Sequence, residues 1–161
     1  MTYTFARVSA ICRLNVRDYF RAGRRWKIRL HEKGGQRRTV PVHHKAGDYL
    51  DGYLDRAGIR EKQDAPLFQS LRGRTGKLTG NRLHADNALQ MIKRRTEEAG
   101  FDPAQVTCRA SRTTGIRTFL GNGGDLETAQ HIAGHTSTGT TRICDHRDQK
   151  VAEEEIERVR I

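Results

Sequence analysis

His131 and His135 stand four residues apart in this 161-residue chain, and Cys144 and His146 follow them. Two imidazoles at i and i+4 share one helix face, and with a thiol and a third imidazole they make a donor set of the kind that ligates zinc. No acidic residue lies between the pair to act as a base, and neither a metal nor another cofactor is expected. The other chemistry-bearing residues are cationic. Thirty Lys and Arg stand against nineteen Asp and Glu, a formal net charge of +11. Such a field favours a polyanion, nucleic acid first and an anionic membrane second. Arg21 to Arg25, Arg37-Arg38 and Lys93-Arg94-Arg95 are basic clusters. Clusters of this type contact phosphates and fix position without reading sequence; they equally form solvated surface. The three cysteines, Cys12, Cys108 and Cys144, are odd in number and form no C-x-x-C, so neither a disulfide framework nor a zinc ribbon is indicated.

These residues need elements to hold them. Phe5, Val8, Ile11, Cys12 and Leu14 recur at helical spacing, so a helix is expected within the first few residues, with Cys12 buried. Little precedes it to cover its apolar face, and the domain is expected to be incomplete at its N-terminus. Trp26 to His31 and Arg38 to Val42 alternate as strands, joined through Gly34-Gly35 as a hairpin, with Pro41 marking an edge. His44 to Ile59 is predicted helical and stopped by Gly58, and Ser70 to Leu78 is predicted to be a loop. Thr79 is expected to cap a helix reaching Ala99. Further helices follow over Thr107 to Leu120, after Asp125, from a Ser137 cap to about His146, and over Val151 to Val159. The fold class is therefore mainly α with a small antiparallel β-sheet, in one domain over residues 1–161. No apolar run approaches the roughly 18 residues that span a membrane. The N-terminus lacks a basic stretch followed by an apolar one, and a cytoplasmic location is expected.

Four segments then align with one family. They are Ala6-Arg7-Val8-Ser9-Ala10, His31-Glu32-Lys33-Gly34-Gly35 with Arg38-Thr39-Val40-Pro41, Arg109-Ala110-Ser111-Arg112-Thr113, and Ala133-Gly134-His135-Thr136-Ser137 followed by Thr140 to Cys144. In this order and at these separations the chain resembles the catalytic domain of tyrosine recombinases of the phage-integrase type. The resemblance implies that family's catalytic-domain fold and double-stranded DNA as partner, with no metal. It also implies breakage and rejoining of DNA through a 3′-phosphotyrosyl intermediate, for site-specific recombination or integration, with a mobile element as the source. Arg7 and Arg112 would pair with phosphate oxygens, Lys33 would protonate the leaving 5′-oxygen, and His135 would donate to the phosphate.

Three features depart from the family pattern. Cys144 stands where the nucleophilic tyrosine belongs. A thiolate attacking phosphorus would form a weak P–S bond, and the thiol is shorter than a phenol by about the length of a ring, enough to cost orders of magnitude in rate. All four tyrosines, Tyr3, Tyr19, Tyr49 and Tyr53, lie in the first third of the chain. Arg109 replaces the first histidine of H-x-x-R; it keeps positive charge but cannot shuttle protons. The family's DNA-clamping domain, which precedes the first arginine, is expected to be absent here, because Arg7 stands near the start of the sequence. The expectation is a catalytically impaired copy. The alternatives are an enzyme using Cys144 or a neighbouring subunit's tyrosine, and a non-catalytic DNA- or partner-binding remnant. The C-terminal segment is a route to homo-oligomers.

Overall fold

The computed structural model describes residues 1–73, 75–135 and 138–145, apart from the side chains of Lys33 and Thr138. A short helix α1 (Val8–Cys12) leads into a three-stranded antiparallel sheet, β1 (Tyr19–Ala22), β2 (Arg25–His31) and β3 (Arg37–Pro41), in the order β1-β2-β3. Helix α2 (His44–Ala57) follows. A two-stranded ribbon, β4 (Gln69–Leu71) and β5 (Leu78–Arg82), precedes α3 (Ala85–Glu98), α4 (Cys108–Gly121), α5 (Leu126–Ala133) and α6 (Thr138–Arg142).

The sheet's register fixes its inner face. Ile28 pairs with Tyr19 on one side and Val40 on the other, and all three are buried. Leu30, two residues on, lies on the same face and is fully buried opposite Arg38. Onto this face pack Ala6, Ala10 and Leu14 from the α1 region and Leu54 from α2. The apolar face of α1 is thus covered by the chain's own sheet. A second cluster joins Phe5 to Ile116 and Leu120 of α4 and Ala129 and Ala133 of α5, with Ile132 packed against both clusters. Gly115 permits the second cluster to close. A Cβ there would fall on the Thr2 carbonyl and come within 3.0 Å of the Phe5 ring.

The β2–β3 hairpin, the edge position ending at Pro41, α2 with its left-handed Gly58 cap, and the Thr107 and Asp125 caps all stand as the sequence predicts. Four expectations need correction. The first helix starts only at Val8, because Phe5 adopts a positive φ in a preceding turn and leaves for the second cluster. Strand β1 is an unpredicted third strand whose short apolar content is masked by the basic Arg21–Arg25 run. The expected loop from Ser70 to Leu78 is largely the β4–β5 ribbon. Thr79 belongs to β5, where its hydroxyl meets Ser70 Oγ at 2.6 Å, and α3 begins six residues later, after His84. The Ser137 cap and the helix over Val151 to Val159 lie outside the described residues.

Candidate active site

The site is built around a buried carboxylate. Period-two alternation turns Trp26, Ile28 and Leu30 inward and carries Glu32 inward with them, leaving its side chain 5% exposed. Arg7 caps α1 with extended backbone and donates from Nη1 to Glu32 Oε2 at 3.0 Å. Arg38 donates to Oε1 from Nη2 at 2.9 Å and from Nε at 3.2 Å. Its Nη1 donates to the Thr4 carbonyl at 3.4 Å and to the carbonyl of Ile132. One carboxylate and one guanidinium thereby tie together the hairpin, the N-terminal turn and α5. Burial opposes ionisation of Glu32, but hydrogen bonds from Arg38 and Arg7, with their charges, hold its pKa below the usual carboxylate range. Arg38, in sequence part of a basic cluster open to phosphate contact or to solvent, is instead turned toward Glu32, opposite Leu30, with its side chain 14% exposed.

Arg112 comes from α4 and is 7% exposed. Its Nη2 donates to the Ala133 carbonyl at 2.7 Å, while Nη1 is buried with no hydrogen-bond partner among the described residues. Burial, then the charges of Arg7 and Arg38, lower its pKa to about 10, so it stays protonated at neutral pH. His135 follows Gly134, the left-handed cap of α5, where a Cβ would approach Arg38 Nε to 3.1 Å. Its Nδ1 lies 2.8 Å from Thr141 Oγ1, a fully buried hydroxyl on α6. Burial, then Arg112, Arg7, Arg38 and Arg109, lower the imidazole pKa to about 4, which leaves it neutral at pH 7.

Two depressions sharing Arg7, His135 and Thr140 open over these groups. One, of about 310 Å³, is also lined by Glu32, Gly34, Gln36 and Gly134. The other, of about 410 Å³, is also lined by Val8, Ser9, Cys108, Arg109 and Arg112. Arg7, Arg109, Arg112 and His135 therefore converge. Lys33 occupies the hairpin turn directly after Glu32, beside Gly34; its side chain is outside the description. Cys144 lines neither depression. It sits just past α6, its amide donating to the Thr141 carbonyl at 2.9 Å, and packs against the second apolar cluster, within electrostatic reach of Arg112. No tyrosine lines either depression.

Among the described residues no group of three or more His, Cys, Asp or Glu side chains is placed to hold a metal. His131 is exposed on α5, and His146 lies outside the described residues. Sequence reasoning missed Glu32, its bond to Arg38, and Thr141. The alternation of β2 and β3 carried a signal for the first two; only the tertiary fold reveals the third.

A family model described as the phage integrase family matches residues 1–150. The chain belongs to the phage integrase family. This integrase-family chain is 31% identical over 141 residues to a tyrosine recombinase XerC of Myxococcus xanthus, covering 84% of the chain and 44% of that protein. To XerC of Corynebacterium efficiens it is 29% identical over 143 residues, covering 89% of the chain and 43% of that protein. It thus spans less than half the length of these relatives. The crystal structure of XerA recombinase superposes with a TM-score of 0.72 at 27% identity, over 99% of the chain and 55% of XerA. XerH bound to a palindromic difH substrate, in a post-cleavage complex, superposes at 0.74 with 20% identity, over 97% of the chain and 42% of that structure. Mainly helical architecture with small antiparallel sheets is common ground. Among the described residues no helix is long and apolar enough to cross a membrane.

Proposed function

We propose that the cleft of Arg7, Arg109, Arg112 and His135 receives a backbone phosphate of double-stranded DNA, as the catalytic domain of a site-specific recombinase or integrase. The observation that carries this reading is Arg112 Nη1, a buried cationic donor without a partner among the described residues, beside a depression walled by Arg7 and His135. A buried donor left unpaired costs about 1–3 kcal/mol, more when charged, and an anionic oxygen removes that cost. Three guanidinium groups around a neutral imidazole suit a dianionic, phosphorane-like transition state. Membership of the phage integrase family and the fold shared with XerH on its difH substrate support the same reading.

In the family reaction a tyrosine oxygen bonds to phosphorus as the P–O5′ bond breaks, and the 5′-oxygen takes a proton, a role assigned here to Lys33. Cys144 occupies the nucleophile's place in sequence and packs toward the apolar cluster. Strand transfer by this copy is therefore impaired, and phosphate binding is retained. The test is a nicked-duplex substrate that traps a covalent product, offered to the protein and to Cys144→Tyr. Covalent protein–DNA product with Cys144→Tyr and none with the unaltered chain is the expected result. Duplex binding by both proteins without any adduct would favour a purely DNA-binding role. Adduct formation by the unaltered chain would show that it is an active enzyme.

A further inference from the structure

We infer that Thr141 is the positioning residue that selects the proton-donating form of His135: its hydroxyl donates to Nδ1, so the ring proton resides on Nε2. The inference rests on the proposed phosphate site, and deepens it by assigning what His135 presents to the ligand. The geometry begins with the 2.8 Å contact between Thr141 Oγ1 and His135 Nδ1. Thr141 is 0% exposed, so bulk solvent does not serve its hydroxyl. A hydroxyl has one proton to place, and a buried one left unplaced is costly.

The two hydrogen-bond directions are not equivalent. Donation by Thr141 satisfies the hydroxyl proton and the Nδ1 lone pair with a single bond. Donation by Nδ1 instead leaves the Thr141 proton needing a second buried acceptor. The first direction also leaves Nε2 as the ring nitrogen available to the depressions that His135 lines. A phosphate oxygen accepts hydrogen bonds, so only a protonated Nε2 attracts it. Burial, and then the surrounding guanidiniums, keep the ring neutral, with a pKa of about 4. A neutral ring has one N–H, and whichever partner holds Nδ1 decides where it goes.

The rest of the segment keeps the pair aligned. Gly134 caps α5 with left-handed geometry, and Gln130 Nε2 donates to the His135 carbonyl at 3.2 Å. Arg112 holds the Ala133 carbonyl, two residues before His135. The imidazole is thus presented by a fixed backbone, and Thr141 determines its protonation pattern.

The test is a long-range 15N–1H imidazole spectrum of the DNA-free protein at pH 7, with His135 assigned by loss of its signals in His135→Gln. Thr141→Val keeps the buried shape and removes the hydroxyl; Thr141→Ser keeps the hydroxyl. The expected result is an Nε2-protonated His135 in the unaltered chain and in Thr141→Ser. In Thr141→Val a mixture of the two forms and a raised His135 pKa are expected, since a donor to Nδ1 favours the neutral ring. Duplex-DNA affinity should fall about threefold in Thr141→Val, within the range of one hydrogen bond, and stay unchanged in Thr141→Ser. An Nδ1-protonated ring in the unaltered chain, or an unaltered spectrum in Thr141→Val, would overturn the assignment. If His135→Gln binds duplex DNA as well as the unaltered chain while the spectra behave as expected, the phosphate reading of His135 fails and the positioning role stands.

Discussion

At the scale of single residues, Glu32 is the group on which the cationic cleft depends. The charges of Arg7 and Arg38 help to lower the proton affinity of Arg112, that of Arg7 acts likewise on Arg38, and Glu32 is the carboxylate bonded to Arg7 and Arg38. Removing one partner of a buried ion pair typically costs about 3–5 kcal/mol, because the other is left uncompensated. Glu32→Ala is expected to lose about that much stability in urea unfolding, with Glu32→Gln milder because its amide oxygen still accepts one bond. The pH dependence follows from the lowered pKa. A carboxyl that ionises more readily when folded contributes stability above its unfolded pKa, near ~4.3. That contribution disappears as pH falls through the lower folded value. Unfolding curves taken from neutral pH down to acid should therefore show a decline in the unaltered protein that is smaller in Glu32→Gln. Parallel declines in both would remove Glu32 as the origin of the acid sensitivity.

At the scale of elements, helix caps and the hairpin were legible because each has a local cause. Thr107 and Asp125 accept from the next turn's amides, and Gly58 and Gly134 adopt left-handed cap geometry. The β1 strand and the β4–β5 ribbon were not legible, since strands of three to five residues, with Gly and Asn in β5, owe their existence to pairing partners. The site divides in the same way. Arg7, Arg112 and His135 follow from motif order, whereas the Glu32–Arg38 link follows from sheet register and the Thr141 contact from how α6 meets α5. One close element junction is the approach of the N-terminal turn to α4 at Gly115. Gly115→Ala should drive the Thr2 backbone and Phe5 away from α4 and destabilise by about 1–3 kcal/mol, as overpacking does. Gly52→Ala, in α2 with nothing within 4 Å of the added methyl, should instead stabilise by roughly 0.5–1 kcal/mol. Thermal unfolding of the two variants checks the pair, and a neutral Gly115→Ala would mean that the N-terminal turn yields without cost to the core.

At the scale of the whole molecule, a net charge of +11 invites the idea that DNA affinity is a property of the total charge. Screening argues otherwise. At physiological salt the Debye length is about 8 Å, so exposed charges beyond that distance from the duplex contribute little. What salt titrations count is the number of phosphates neutralised in contact, at about 0.9 per contact in the slope of log affinity against log salt. Arg109, exposed at the mouth of the depression that Arg112 and His135 share, is placed to make such a contact. Arg95 is also exposed, but pairs with Glu98 at 2.7 Å along α3, so its charge is already partly offset. Fluorescence anisotropy of a labelled duplex across a salt series should therefore give a slope reduced by about 0.9 in Arg109→Ala and unchanged in Arg95→Ala. Equal reductions in both variants would return the affinity to a diffuse basic surface. A reduction confined to Arg109→Ala would locate it at the cleft, where Glu32 and the folded sheet set the spacing of the guanidinium groups.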